Sequence, residues 1–329
     1  MKFVEPSLRA CLRASIAALT AVAVCGSAIA QSDISRPIRL VVPFGPGGVA
    51  DLTARVVAQK MTETTGRSIV VDNKPGAGGV VAADTVAKAK PDGSTLLLMS
   101  NGNAVSAGLF NTLPFDPQKS FTPVSMLGYF DMAVLATPKS RFDTLPALVA
   151  YAKANPGKVN VATINTGSTQ NLAAELLKRA LGIDVQIVPF NSSSAVTVAL
   201  QGGQVDAAVE ILAPVLGQVT GGTLVALAVM REKRSPALPA VPTVAESGAP
   251  GFNVASWNAF AAPAGTPPDV VARLNKETND ALASPDVKDR LAKLGVQGRG
   301  STQKEQADFY AREIRRWSEV IRQAGIPKQ

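Results

Sequence analysis

Histidine is absent from this 329-residue sequence, and its two cysteines, Cys11 and Cys25, both lie within the first 30 residues. The chain from Gln31 onward therefore offers no Ser-His-Asp or Cys-His catalytic arrangement, none of the usual zinc ligand sets and no disulfide. Two carboxylates could still act as acid and base, and Glu175 and Glu210 are candidates, but no pattern in the sequence brings them together. We therefore expect a protein that is not an enzyme, with no catalytic residue and no metal site.

Nucleotide-binding motifs are also missing. Glycine-rich runs occupy residues 45–48 (GPGG) and 76–79 (GAGG), but neither has the spacing of a Walker loop or of a dinucleotide fingerprint. We expect no cofactor. Glycines also let a backbone approach a ligand closely, so the first run is either a binding loop or a tight turn between a strand and a helix.

Clustered basic charge is scarce, although the formal net charge is +8. Lysines and arginines are scattered, apart from residues 231–234 (REKR) and a C-terminal helix with Arg312, Arg315 and Arg316. Solvated helix faces account for this pattern, and attraction of anionic solutes is the alternative. We expect no nucleic-acid partner, because nucleic-acid binding needs basic residues concentrated on one surface.

The first 30 residues have the layout of a secretory signal peptide. A basic start is followed by the mostly apolar residues 14–24 and by Ala28-Ile29-Ala30, a small-x-small cleavage site. A lipoprotein would need a small residue before Cys25, and Val24 stands there. No later run reaches 18 apolar residues. The expected location is the periplasm, after cleavage near Ala30.

The rest of the chain repeats a strand, a polar turn and a helix. Two such series predict two α/β domains with parallel sheets. We expect domain 1 to comprise residues 31–137 plus 253–329 and domain 2 to comprise residues 138–252, with crossings near residues 135–138 and 251–256.

Four polar loops follow strands in these series and begin helices. They span residues 43–51, 100–103, 165–171 and 190–194, and strand ends of this kind are where open α/β sheets bind ligands. None contains lysine or arginine, so backbone N–H groups, hydroxyls and amides would have to hold an anion. Asp51 is the one charge in these loops. It either caps its own helix start or orients a bound water, or it receives an ammonium group, alone or together with Glu210.

Several longer motifs resemble the Bug family, the extracytoplasmic receptors of tripartite tricarboxylate transporters. The matching segments are residues 37–44 (PIRLVVPF), 72–79 (DNKPGAGG), 87–93 (AKAKPDG), 151–158 (YAKANPGK), 234–243 (RSPALPAVPT) and 262–267 (APAGTP). The resemblance covers nearly all of the chain after the leader.

This resemblance implies a type II periplasmic-binding-protein fold, in which two α/β domains joined by two crossing strands enclose the ligand. It implies a small carboxylate ligand, delivery to membrane permease subunits and a monomeric receptor. With Glu210 added from the argument above, the predicted ligand-binding residues are Phe44, Gly47, Gly48, Asp51, Asn101, Thr166, Gly167, Ser168, Thr169, Gln170, Phe190, Asn191, Ser192 and Glu210.

Three departures from the family pattern leave the identity of the ligand open. The family often has VPYKG where residues 188–192 read VPFNS, histidine where Asn171 stands, and aspartate where Glu210 stands. Two other functions remain as alternatives to transport of an organic acid. One is presentation of a ligand to a periplasmic sensor kinase, and the other is binding of an acidic amino acid.

Cleavage of the leader can be tested directly. Expression of the full chain should give a periplasmic form whose intact mass matches a chain that begins at Gln31. A mass that retains the leader, or one that carries a diacylated Cys25, would contradict this prediction.

Overall fold

Short apolar runs form the strands of two sheets. The structure is a computed structural model that describes residues 36–329. The strands are β1 (Ile38–Val42), β2 (Ile69–Asn73), β3 (Thr95–Ser100), β4 (Phe121–Phe130), β5 (Met132–Ala136), β6 (Asn160–Ile164), β7 (Gln186–Phe190), β8 (Ala207–Ile211), β9 (Val225–Val229), β10 (Ser256–Pro263) and β11 (Val296–Gly298).

The strands are arranged as a six-stranded sheet in the order β11-β4-β10-β3-β1-β2 and a five-stranded sheet in the order β7-β6-β8-β5-β9. We call the parts built on them lobe 1 and lobe 2. The parallel pairs expected from the sequence are present, but β10 and β5 each run antiparallel to both of their neighbours. Both sheets are therefore mixed and not purely parallel. Strands β4, β5 and β11 were not predicted from the sequence.

The helices lie between these strands and after them. They are α1 (Val49–Thr65), α2 (Val80–Ala87), α3 (Asn101–Leu109), α4 (Leu145–Ala154), α5 (Thr169–Leu181), α6 (Ser193–Gln201), α7 (Leu216–Thr220), α8 (Pro268–Ala283), α9 (Pro285–Lys293) and α10 (Gln303–Ala324). Among residues 36–329, none is long and apolar enough to cross a membrane.

The ends of the longest helices follow from their sequence. Helix α10 starts at a capping box, in which the Thr302 hydroxyl accepts from the Glu305 N–H at 3.1 Å and the Glu305 carboxylate accepts from the Thr302 N–H at 2.8 Å. It ends at Gly325, whose φ of 67° is a left-handed value that glycine adopts without strain.

The chain changes sheet at two points. It leaves the six-stranded sheet at Asp131, between β4 and β5, which is earlier than the crossing expected near residues 135–138. Strand β5 therefore lies in the five-stranded sheet although its residues were placed in domain 1. The return runs from Val254, whose N–H donates to the Met230 carbonyl at 2.7 Å, to the start of β10 at Ser256. We call these two segments the hinge.

The C-terminal helix α10 connects the two lobes. Tyr310, Ile314, Trp317 and Ile321 form the apolar face expected from their spacing, and all four are buried. Helix α10 packs against α3 and β4 of lobe 1 and also against α5 of lobe 2.

Candidate ligand-binding cleft

A cavity of about 490 Å³ lies between the two lobes, next to the hinge. Its walls come from the loops after β1, β3 and β6 and from Phe130, Ile211 and Ser256 at the strand ends nearest the hinge. Among residues 36–329, no lysine, arginine, aspartate or glutamate lines it. Any anion bound here must therefore be held by dipoles and hydrogen bonds.

Three helix N-termini meet at this cavity. Helix α1 contributes Gly48, Val49 and Ala50, helix α3 contributes Asn101 and Gly102, and helix α5 contributes Ser168, Thr169 and Gln170. The first N–H groups of a helix have no partner within the helix, and the dipoles of the peptide groups add positive potential there. The cavity therefore has the electrostatic character of an anion site, although none of the described residues that line it carries a formal positive charge.

The start of α1 is uncapped. Its N-cap residue is Gly48, with φ −74°, and no side chain bonds to the first N–H groups of the helix. These donors remain available to a ligand. An added Cβ at Gly48 would meet no atom within 4 Å, so the missing side chain leaves space in the cavity instead of relieving a clash.

The Asp51 carboxylate stabilises the loop before α1 through three hydrogen bonds. One carboxylate oxygen, Oδ2, accepts from the Gly47 N–H and from Arg55 Nε, both at 2.9 Å, and Oδ1 accepts from Asn73 Nδ2 at 2.8 Å. Burial alone would raise the pKa of Asp51, but the hydrogen bonds from Arg55, Asn73 and Gly47 hold it below its usual range. Both oxygens are thus occupied, and Asp51 does not line the cavity.

Asn101 is the most constrained polar side chain of the cleft. Its Oδ1 accepts from the indole nitrogens of Trp257, at 3.1 Å, and Trp317, at 2.8 Å. An indole N–H is only a donor, so these two bonds fix which end of the amide is oxygen. The opposite end, Nδ2, is turned toward lobe 2 and donates to Thr169 Oγ1 at 2.9 Å. Asn101 therefore joins α10, β10 and both lobes.

The loop that starts α5 is ordered by its own polar side chains. Ser168 Oγ accepts from the Asn171 N–H at 3.1 Å, and Asn171 Oδ1 accepts from the Gly167 N–H at 3.0 Å. Gly167 has φ 80°, and a Cβ there would lie 2.8 Å from Leu109 Cδ2 of lobe 1. The left-handed φ favours glycine here, and any larger residue would also require the Leu109 side chain to move.

Glu210 lies under the cleft and does not line it. It is 1% exposed, and its Oε1 accepts from Gln170 Nε2 at 2.7 Å and from the Ile211 N–H at 2.8 Å. Burial raises the pKa of Glu210, and the hydrogen bonds from Gln170, Ile211 and Ser193 offset this only in part.

Comparison with known proteins gives the family. Residues 53–326 match the model of the tripartite tricarboxylate transporter family receptor. The chain belongs to this family. Protein BugT of Bordetella pertussis is 39% identical over 293 residues, which are 88% of this chain and 90% of that protein. The resemblance drawn from the sequence motifs is confirmed.

Solved structures agree with this assignment. Rpa4515 of R. palustris with adipate is 32% identical, with a TM-score of 0.78 over 89% of this chain and 99% of that one. MatC of Rhodopseudomonas palustris with bound malate is 34% identical, with a TM-score of 0.73 over 87% and 99%. The predicted two-domain periplasmic-binding-protein fold is confirmed by these matches.

Of the residues predicted from the sequence of this receptor, half line the cavity. These are Phe44, Gly48, Asn101, Gly167, Ser168, Thr169 and Gln170. The others, Gly47, Asp51, Thr166, Phe190, Asn191, Ser192 and Glu210, do not. The loop from Phe190 follows β7, which is the outer strand of its sheet, and it does not line the cavity. Gly76, Gly78 and Gly79, from the second glycine run in lobe 1, do line it although they were not among the predicted residues.

Asn258 is a cavity residue that the sequence reasoning missed. It lies on β10 directly opposite Ser100 of β3, and it is 1% exposed. Its Oδ1 is buried without a hydrogen-bond partner among the described residues. The signal was the alternation of Ser256 and Asn258, which puts two polar side chains on one face of an otherwise apolar strand.

A substitution at Gly48 tests whether the start of α1 receives the ligand. Gly48→Val should change the free energy of unfolding by less than about 1 kcal/mol, because its φ and the open space admit a side chain. The new side chain should nevertheless fill part of the cavity and weaken ligand binding more than tenfold. Calorimetry with the organic acid that stabilises the wild type most would measure this.

The matched control is Gly45→Val, in the same loop. Gly45 also has open space around it but does not line the cavity. Binding should be unchanged in this variant. Equal affinity in both variants and the wild type would show that the start of α1 does not contact the ligand.

Proposed function

We propose that this chain is a periplasmic receptor that captures a small dicarboxylate and delivers it, as a monomer, to the permease subunits of a tripartite transporter. The observation that carries this proposal is a cleft between two lobes at which three helix N-termini converge. None of the described residues that line this cleft is charged. The adipate and malate held by two relatives support it, because both are dicarboxylates.

The binding energy would come from hydrogen bonds to charged oxygens. Each such bond contributes roughly 1.5–3 kcal/mol, so three or four donors suffice for a micromolar dissociation constant. The uncapped N–H groups of α1 and the hydroxyl of Thr169, which itself only accepts from Asn101, supply donors on both sides of the cavity. A ligand that contacts both lobes favours the conformation in which they are close together.

The ligand is proposed to be a plain organic acid and not an acidic amino acid. An ammonium group would need a free carboxylate, but both oxygens of Asp51 already accept hydrogen bonds. Glu210 does not reach the cavity surface. Neither group is placed to pair with an ammonium ion.

A thermal-shift screen with matched pairs of compounds tests this proposal. Succinate and aspartate differ by one amino group, as do glutarate and glutamate, and malate and adipate extend the series. At one hundred times its dissociation constant, a ligand stabilises the folded state by roughly 2.7 kcal/mol. We expect at least one dicarboxylate to do so and its amino-substituted partner to be weaker. Stabilisation by an amino acid alone would contradict the assignment.

Asn258→Leu tests the cleft from the opposite wall. Removal of a buried, unpartnered oxygen should raise the stability of the ligand-free protein, by up to about 1–3 kcal/mol. The same change should weaken binding of the screened dicarboxylate at least tenfold, because an amide that faces the ligand is lost. These opposite effects would be measured by thermal unfolding and calorimetry.

Asn111→Leu is the control for this pair of effects, since Asn111 is exposed and lies outside the cavity. It should change neither quantity appreciably. A loss of stability in Asn258→Leu, or unchanged affinity, would remove Asn258 from the site.

A further inference from the structure

A second and larger cavity lies on the other side of the hinge. Its volume is about 1000 Å³, and it has walls from both lobes. Tyr129 lines this cavity whereas Phe130, the next residue of β4, lines the ligand cleft. Consecutive residues of a strand point to opposite faces of the sheet, so the two cavities lie on opposite sides of the hinge.

The charge of this cavity contrasts with that of the cleft. Seven charged side chains line it, and five of them are basic: Arg231, Lys233, Arg299, Arg312 and Arg316. We call these five residues the basic groove. It contains two residues from each of the two basic clusters noted in the sequence: Arg231 and Lys233 from residues 231–234, and Arg312 and Arg316 from α10.

Part of this positive charge is not neutralised. Arg231 pairs with Asp131 of the hinge at 3.0 Å, and Arg316 lies 3.5 Å from Glu313. Lys233, Arg299 and Arg312 are exposed and form no salt bridge within the described residues. The three unpaired cations come from both lobes.

These cations converge instead of pointing into solvent separately. Burial raises the pKa of the Tyr129 hydroxyl, and Arg299, Arg231 and Arg312 lie close enough to oppose that rise. The Arg231 guanidinium is 5.9 Å from the centre of the Tyr129 ring, and Arg312 is 6.0 Å from that of Phe309. Guanidinium groups above aromatic rings form a planar surface that binds carboxylates in a bidentate manner.

We propose that the basic groove is a docking site for an acidic polypeptide segment of the membrane partner. The inference rests on the proposed function, which requires such a partner. The cavity has twice the volume of the ligand cleft and several separated cations, which suits a chain with repeated carboxylates better than a small acid. Because its walls belong to both lobes, rotation about the hinge changes the spacing of its cations.

Binding of an N-acetylated, C-amidated hexaglutamate peptide to the exported chain tests the proposal. No organic acid is added, so failure here leaves the receptor function untouched. At about 50 mM salt we expect measurable binding by calorimetry, and hexaglutamine should not bind. Arg299→Glu and Arg312→Glu should each weaken hexaglutamate binding about tenfold, because an attraction becomes a repulsion. Their melting temperatures should stay close to that of the wild type.

Arg315→Glu is the matched control. Arg315 lies on the same helix as Arg312 and is exposed, but it does not line the groove. Its substitution by glutamate changes the net charge by the same amount. Its affinity for hexaglutamate should equal that of the wild type. An equal loss in Arg315→Glu would show non-specific attraction and overturn the proposal. So would no binding by the wild type, or binding of inorganic tripolyphosphate more than tenfold tighter than the peptide.

Discussion

The amide of Asn101 is the interaction on which the geometry of the cleft depends. Two buried tryptophans that lie 60 residues apart in the chain, Trp257 and Trp317, donate to its single oxygen. Rotation of this buried amide would leave the Trp257 N–H without its acceptor and would leave Trp317 with only its second acceptor, Glu313, at a cost of about 1–3 kcal/mol. The start of α3, the return strand β10 and the C-terminal helix are therefore held in one arrangement, and the amide nitrogen points across the cleft.

The charged residues near the candidate cleft lie one layer behind its surface. The Asp51 carboxylate organises the loop before α1, and its partners Arg55 and Asn73 stay outside the cavity. Glu210 has the corresponding position in lobe 2, beneath Gln170. A formal charge at the surface of the site would bind water and counter-ions when the cleft is open. Fixed dipoles on a rigid support attract an anion with a smaller penalty for removal of that water.

Much of this arrangement could be predicted from the sequence, and the exceptions have physical causes. The parallel strands carry continuous runs of valine, leucine and isoleucine, and helices begin at polar residues and end at glycine, so these elements were identified. Strand β4 contains Pro123 and Gly128 and pairs irregularly with β10. Strand β5 reads MAVLA, which is equally compatible with a helix. Both were missed, and the crossing point was misplaced as a result.

The cleft itself was predicted in part, because strand ends can be located from the sequence whereas strand order cannot. The loop after β7 looks equivalent to the one after β6, yet the order β7-β6-β8 puts it at the outer edge. The hydrogen bond from Trp317 to Asn101 could not be predicted from the sequence either. Its spacing with Tyr310 and Ile314 indicated packing, which is present, but no pattern links an indole to an asparagine 216 residues earlier.

The hydrogen bond between Asn101 and Thr169 joins the two lobes through protein atoms alone. It therefore favours the conformation in which the lobes are close together whether or not a ligand is bound. Apparent affinity rises with the fraction of molecules already in the competent conformation. As that fraction rises, the difference in conformation between the ligand-free and the ligand-bound receptor becomes smaller. A strong Asn101–Thr169 contact therefore favours tight binding, whereas a weak one favours a large conformational change on binding.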